Sequence, residues 1–222
     1  REIADKAWKL SKDVEDLRSL AESLWAEGWL SWAQMGIVAF KWNERWREYS
    51  RKFLLRCDES LKLVDGCDDP LVLGTIYSAA GDWYCFFGFQ FVEDEREQRE
   101  YFDKGLGLME KGLVFARKAK DNQLILSVLF WLDWWALYGG RLEYLQKRIF
   151  DDLPETLELG KIYADSYTIE RWGTNFLPAF YYTAFAQRSF FTPDQRKSYA
   201  EKAIEYAKES LKAPSFPTFS VM

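Results

Sequence analysis

The strongest hydrophobic pattern in the chain lies at Leu124–Tyr138, LILSVLFWLDWWALY, which is apolar on every side except at Ser127 and Asp133. Leu124, Val128, Trp131, Trp135 and Tyr138 recur at three- and four-residue steps on one face. Ile125, Leu129, Leu132 and Ala136 do so on another, the spacing of a helix with neighbours all round it. Asp121 is placed to cap its start and Gly139-Gly140 to stop it.

Read the same way, the rest of the chain alternates aromatic-rich helices with more charged, amphipathic ones. The aromatic-rich helices are expected at about 14–40, with Trp25, Trp29 and Trp32 on one stripe, from Asp69-Pro70 to about Gln90, at 124–138, and at about 167–188. Their partners are expected at about 44–64 behind an Asn43 cap, at about 93–118, and in two pieces at about 141–150 and 155–164, with Pro154 breaking or kinking the chain between them. The last partner, 193–212, follows the capping box Thr192-Pro193-Asp194-Gln195. Two prolines in PSFPTFSVM forbid further helix, so residues 213–222 are expected as an extended tail, with Phe216 or Phe219 packing back onto the last pair. No strand pattern competes.

The amphipathic helices resemble one another. Glu110-Lys111-Gly112-Leu113-Val114-Phe115-Ala116-Arg117 aligns with Glu201-Lys202-Ala203-Ile204-Glu205-Tyr206-Ala207-Lys208, and Asp5-Lys6-Ala7-Trp8 is a weaker third copy. Aspartates at helix starts, Asp13 or Asp16, then Asp69, Asp121 and Asp165, recur at roughly 44 to 53 residues, a period that points to a repeat architecture.

Leu73-Gly74-Thr75-Ile76-Tyr77-Ser78-Ala79-Ala80-Gly81-Asp82-Trp83 resembles the tetratricopeptide signature LGxxYxxxGDY, and EKAIEYAKESL resembles that family's second helix. The resemblance implies an all-α fold, a right-handed superhelix (α-solenoid) of about four antiparallel helix pairs spanning residues 1–212 as one domain. The departures are Phe86, where the family places a small residue, and units longer than the family's roughly 34 residues. Either Gly81-Asp82 forms the family's turn or the helix runs through it. The longer helix is expected, because the neighbouring units are long too. The chain is also similar to divergent repeat regions attached to signalling ATPases and nucleotide cyclases. That likeness implies the regulatory part of a larger protein, and a first residue of Arg1 is expected to mark a piece of a longer polypeptide.

Composition narrows the chemistry. The chain contains no histidine, which removes the commonest general base, the commonest transition-metal ligand and every Ser-His or Cys-His nucleophile. Lys and Arg number 30 against 35 Asp and Glu, spread along the chain, so nucleic acid is not an expected partner. Cys57, Cys67 and Cys85 form no CxxC pair and read as small apolar residues in a reducing compartment. The apolar runs are interrupted before the roughly 18 residues a membrane span needs, so no membrane is expected and the location is read as cytoplasmic. Glu93–Glu97 points in too many directions to hold one ion, and Gly105-Leu106-Gly107 lacks the context of a phosphate loop. No catalytic residue, metal or cofactor is expected.

Aromatic residues make up 18% of the chain, more than helix packing normally requires, so some are expected to serve recognition. In the tetratricopeptide fold the first helix of each pair lines the concave surface. The resemblance therefore implies binding roles for Trp29, Trp32, Trp83, Tyr84, Trp134, Trp135, Tyr181 and Tyr182, which alternatively fill gaps between long helices. Asp82, Asp133, Glu170, Arg171 and Asn175 are polar residues among aromatics and must find a partner or face a cavity. Arg171 suits capture of a carboxylate, or an internal pair with Asp133 or Glu170. The expected function is a non-enzymatic scaffold that binds a protein or peptide segment through a concave aromatic surface. The alternative is a helical domain with a tryptophan-lined pocket for a small apolar ligand.

Overall fold

The computed structural model describes residues 2–38, 44–139, 142–162, 178–179, 181–188 and 191–212. Among them the chain is helical and contains no strand. The helices are α1 (Glu2–Asp13), α2 (Leu17–Val38), α3 (Glu44–Leu63), α4 (Pro70–Phe91), α5 (Glu95–Ala119), α6 (Asn122–Tyr138), α7 (Leu142–Ile162) and α8 (Pro193–Lys212), with further helical residues at 178–179 and 181–186. Two compact units divide the chain, Arg1–Leu142 and Glu143–Met222.

Helix starts lie where the capping residues place them. Asp69 accepts from the amides of Leu71 and Val72, Asp94 from Glu97 and Asp121 from Leu124, satisfying donors that the first turn leaves without helical partners. The α2 start is later than the expected residue 14. Glu15 takes a left-handed conformation, φ 57°, and Asp16 accepts from the amides of Arg18 and Ser19, so the apolar residue Val14 belongs to the turn before the helix. At the other end of α5, Lys120 turns left-handed, φ 56°, and its amide bonds back to Ala116 and Arg117.

In the first unit α4 is the central element, packing on α2, α3, α5 and α6, which is why it is apolar around its whole circumference. It runs unbroken through Gly81-Asp82, as the longer-helix reading expected. The two glycines of the motif serve helix contact instead of a turn. Gly74 lies against the Ala116 backbone, Gly81 against Gly105 and Met109, and Gly88 against Tyr101, so α4 and α5 are antiparallel along their full length. A Cβ at Gly81 would lie 2.6 Å from the Gly105 carbonyl oxygen, and one at Gly112 would strike Ser78 Oγ, so the two backbones approach as closely as they do only because these side chains are absent. The α6 helix packs on both α4 and α5 and runs parallel to α4: Leu124 lies beside Gly74, Trp135 beside Asp82 and Tyr138 beside Phe89. Of the three residues that the sequence repeat aligns, Gly112 and Ala203 are buried and Ala7 is exposed.

In the second unit α7 is one helix with Pro154 inside it, where two pieces were expected. Proline removes one backbone bond from a helix interior, but side chains tie the turns on either side of it together. Arg148 pairs with Asp152, and the Thr156 hydroxyl donates to the Asp152 carbonyl. The capping box of α8 forms as read, with Thr192 N–H donating to Gln195 Oε1 at 3.0 Å and Gln195 N–H donating to Thr192 Oγ1 at 3.2 Å. The expected caps Asn43 and Asp165 and the tail 213–222 lie outside the described residues.

Candidate functional site

The aromatic residues singled out from the sequence divide by burial. Trp83, Tyr84 and Trp135 are buried in the first unit, and Tyr181 and Tyr182 in the second. Each of the two tryptophans also spends its N–H inside the fold. Trp83 donates to the Ser50 carbonyl at 3.1 Å while its ring meets Phe53 edge-on, and Trp135 donates to Asp82 at 2.6 Å. Tyr84 donates to Asp58 and accepts from Lys104, and desolvation, followed by the hydrogen bond to the Asp58 carboxylate and its charge, raises its pKa well above the usual tyrosine value. Tyr182 is stacked against Tyr199 and Tyr206, with the Lys202 ammonium 5.2 Å from its ring centre. Asp133 is buried in α6. Arg171 and Asn175 lie outside the described residues, as do the side chains of Trp29 and Trp32, whose backbone belongs to α2.

Trp134 is different, being only partly covered. It lies between Phe130 and Tyr138, with ring centres 6.0 and 4.9 Å away, and Tyr138 in turn meets Phe89 at 5.3 Å. Tyr138 is 42% exposed and Phe89 39%. Parallel packing of α4 and α6 thus brings three accessible aromatic side chains together at the C-terminal ends of both helices. Tyr138 stands one helical turn from Trp134 on α6, whereas Phe89 joins them only through that packing, which spacing within a single helix does not signal.

A cleft of about 530 Å³ opens elsewhere in the first unit, lined by α3, the end of α4 and the start of α5. One wall carries Arg47 and Arg51, one helical turn apart, and the other carries Glu93, Asp94 and Glu97. Phe87, Phe91 and Val92 supply apolar surface between them. Arg47 donates to the Phe91 carbonyl at 3.3 Å, and its Nε is buried without a hydrogen-bond partner. Tyr101 belongs to the same lining, and its pKa is raised, first by desolvation and then by Glu97, against a lowering by Arg51. Among the described residues no tryptophan lines this cleft.

A buried ion network joins the first three helices. Glu27, only 1% exposed within α2, accepts from Arg56 of α3 through both carboxylate oxygens, at 2.5 and 2.7 Å, and from the Tyr49 hydroxyl at 2.8 Å. Arg56 also pairs with Asp5 of α1 and lies 5.5 Å from the Trp8 ring centre. The Asp5 carboxyl is held below its usual pKa, chiefly by its hydrogen bond to Lys9 and also by Arg56. The sequence signal for this network is a lone carboxylate in the apolar run SLWAEGWLSW, which must be paired to be buried. Cys57 and Cys85 are buried free thiols whose pKa values desolvation raises well above the ordinary range, which suits inert core residues.

Among the described residues no group of three or more acidic or cysteine side chains is placed to hold a metal ion, and no helix is long and apolar enough to cross a membrane. No protein-family model matches the chain, and no curated protein is significantly similar to it.

Proposed function

We propose that the chain is a non-enzymatic scaffold that binds a protein or peptide segment through the accessible aromatic surface of Phe89, Trp134 and Tyr138. The observation that carries this reading is the convergence of three accessible aromatics from two parallel helices, with Phe89 and Tyr138 exposed and Trp134 partly covered beside Tyr138. Large aromatic rings bury area at little entropic cost and dominate recognition surfaces, so leaving them accessible has a use in binding that it lacks in packing.

The packing order supports a tetratricopeptide-like superhelix of about four antiparallel pairs as the setting. In the first unit α2 packs on α4 and α4 on α6, while α3 and α5 each pack on the preceding and the following member of that series. Stacked helix pairs in a solenoid make the same set of contacts. The scaffold then works as the regulatory repeat region of a larger signalling protein in the cytoplasm, and the exposed aromatics lie on the first-helix side.

Screening the 222-residue chain against a displayed peptide library tests the proposal. Selected peptides are expected to weaken by about tenfold or more with Trp134→Ala or Tyr138→Ala, while the melting temperature stays within a few degrees, since both side chains are partly solvated. Peptides that bind both variants as tightly as the parent chain would overturn the site.

A further inference from the structure

The cleft between α3 and α5 holds opposite charges apart. Arg47 and Arg51 stand on one wall and Glu93 and Glu97 on the other, and among the described residues neither Arg51 nor Glu97 has an ion-pair partner. Pairing is not foreign to these two helices. Asp58 of α3, which also lines the cleft, meets Lys104 of α5 at 3.2 Å, so the two helices form an ion pair where their side chains come within reach. The 530 Å³ volume falls inside the roughly 300–1,000 Å³ typical of small-ligand sites and is lined at its base by Phe87, Phe91 and Val92.

We infer that this cleft binds a dipeptide-sized zwitterion with an apolar side chain, its carboxylate received by Arg47 and Arg51 and its ammonium by Glu93 and Glu97. A guanidinium fork is the side chain best shaped for a carboxylate, and Arg47 has a buried Nε without a partner and a second group already held by the Phe91 carbonyl, so its head is fixed before a ligand arrives. A ligand bearing both charges completes two ion pairs at once in a partly sheltered site, where each is screened less than a surface pair. A ligand of one sign leaves one wall uncompensated. The apolar base takes the side chain and gives the preference for a hydrophobic residue over a polar one.

The site is separate from the Phe89–Trp134–Tyr138 surface and stands or falls without it. The probe is the dipeptide Ala-Phe, titrated by calorimetry into the 222-residue chain alongside its N-acetylated and C-amidated forms. Saturable binding is expected, weakened about tenfold or more by either end block and by added salt. Arg51→Gln and Glu97→Gln are each expected to weaken the free dipeptide by a similar factor, and Glu97→Gln is expected to cost the N-acetylated form nothing further. Both side chains are exposed, and Val114→Ala, at an exposed position of α5 outside the cleft lining, serves as the variant that leaves binding unchanged. Absence of saturable Ala-Phe binding up to about 10 mM, or equal binding of the end-blocked peptides, would overturn the assignment even if no variant were made.

Discussion

Trp135 Nε1 donates to Asp82 Oδ1 at 2.6 Å, a bond between α6 and α4 that joins residues 53 positions apart, and both side chains are buried. The indole is thus oriented by a carboxylate as well as by the rings of Phe86 and Phe102 around it. Trp135→Phe keeps most of the ring but removes the donor, and Asp82→Asn removes the charge from the acceptor. Each is expected to cost about 1–3 kcal/mol, with the double variant losing less than the sum of the two. Urea unfolding of the four proteins measures the coupling, and strictly additive losses would contradict a direct bond.

Two glycines of α5 should respond to alanine with opposite signs. A Cβ at Gly112 collides with Ser78, whereas one at Gly107 meets nothing within 4 Å. Gly107→Ala is expected to stabilise by about 0.5–1 kcal/mol, the ordinary helix-interior gain. At Gly112 the same gain is outweighed by overpacking, typically about 1–3 kcal/mol, so Gly112→Ala should unfold earlier. Thermal or denaturant midpoints decide it, and a stabilised Gly112→Ala would mean that α4 and α5 are not in close backbone contact.

What was legible in the sequence was largely local chemistry. Asp69, Asp121 and the Thr192–Gln195 box mark helix starts because a cap needs only the next three residues, and the long α4 was legible because its apolar pattern continues through Gly81-Asp82. Pro154 was misleading, since the bonds that hold α7 together around it involve Arg148, Asp152 and Thr156 and leave no propensity signal. The aromatic excess was visible, but which rings stay accessible depends on how α4 and α6 lie together. The cleft was not visible at all, because Arg51 and Glu97 belong to separate helices and become opposite walls only once α3 and α5 pack around α4.

Breaking the buried network at Glu27 is expected to be the most damaging single change in the first unit. Glu27→Ala leaves the Tyr49 hydroxyl and one side of the Arg56 guanidinium without their acceptor inside the fold, a loss of about 3–5 kcal/mol for a buried pair. Combining Glu27→Met with Arg56→Met should cost less than the two single changes summed, because no lone charge remains buried. Denaturant unfolding measures both. A Glu27→Ala variant as stable as the parent would show that the carboxylate is not the centre of the network.

Alkaline pH should act through Tyr84. Burial and the Asp58 carboxylate beside its hydroxyl raise the tyrosine's pKa far above its ordinary value of about 10, so the folded state keeps the proton that the unfolded state releases. Above about pH 10 the unfolded chain binds fewer protons than the folded one, and stability falls as pH rises, whereas below that point the contribution of this group is complete. Stability measured from pH 8 to pH 11 is expected to decline over the upper part of the range and to decline less in Tyr84→Phe, which has no proton to lose. The phenolate absorbance of Tyr84 should appear only with unfolding. A Tyr84→Phe profile with the parent's slope would show that the buried hydroxyl does not set the alkaline limit.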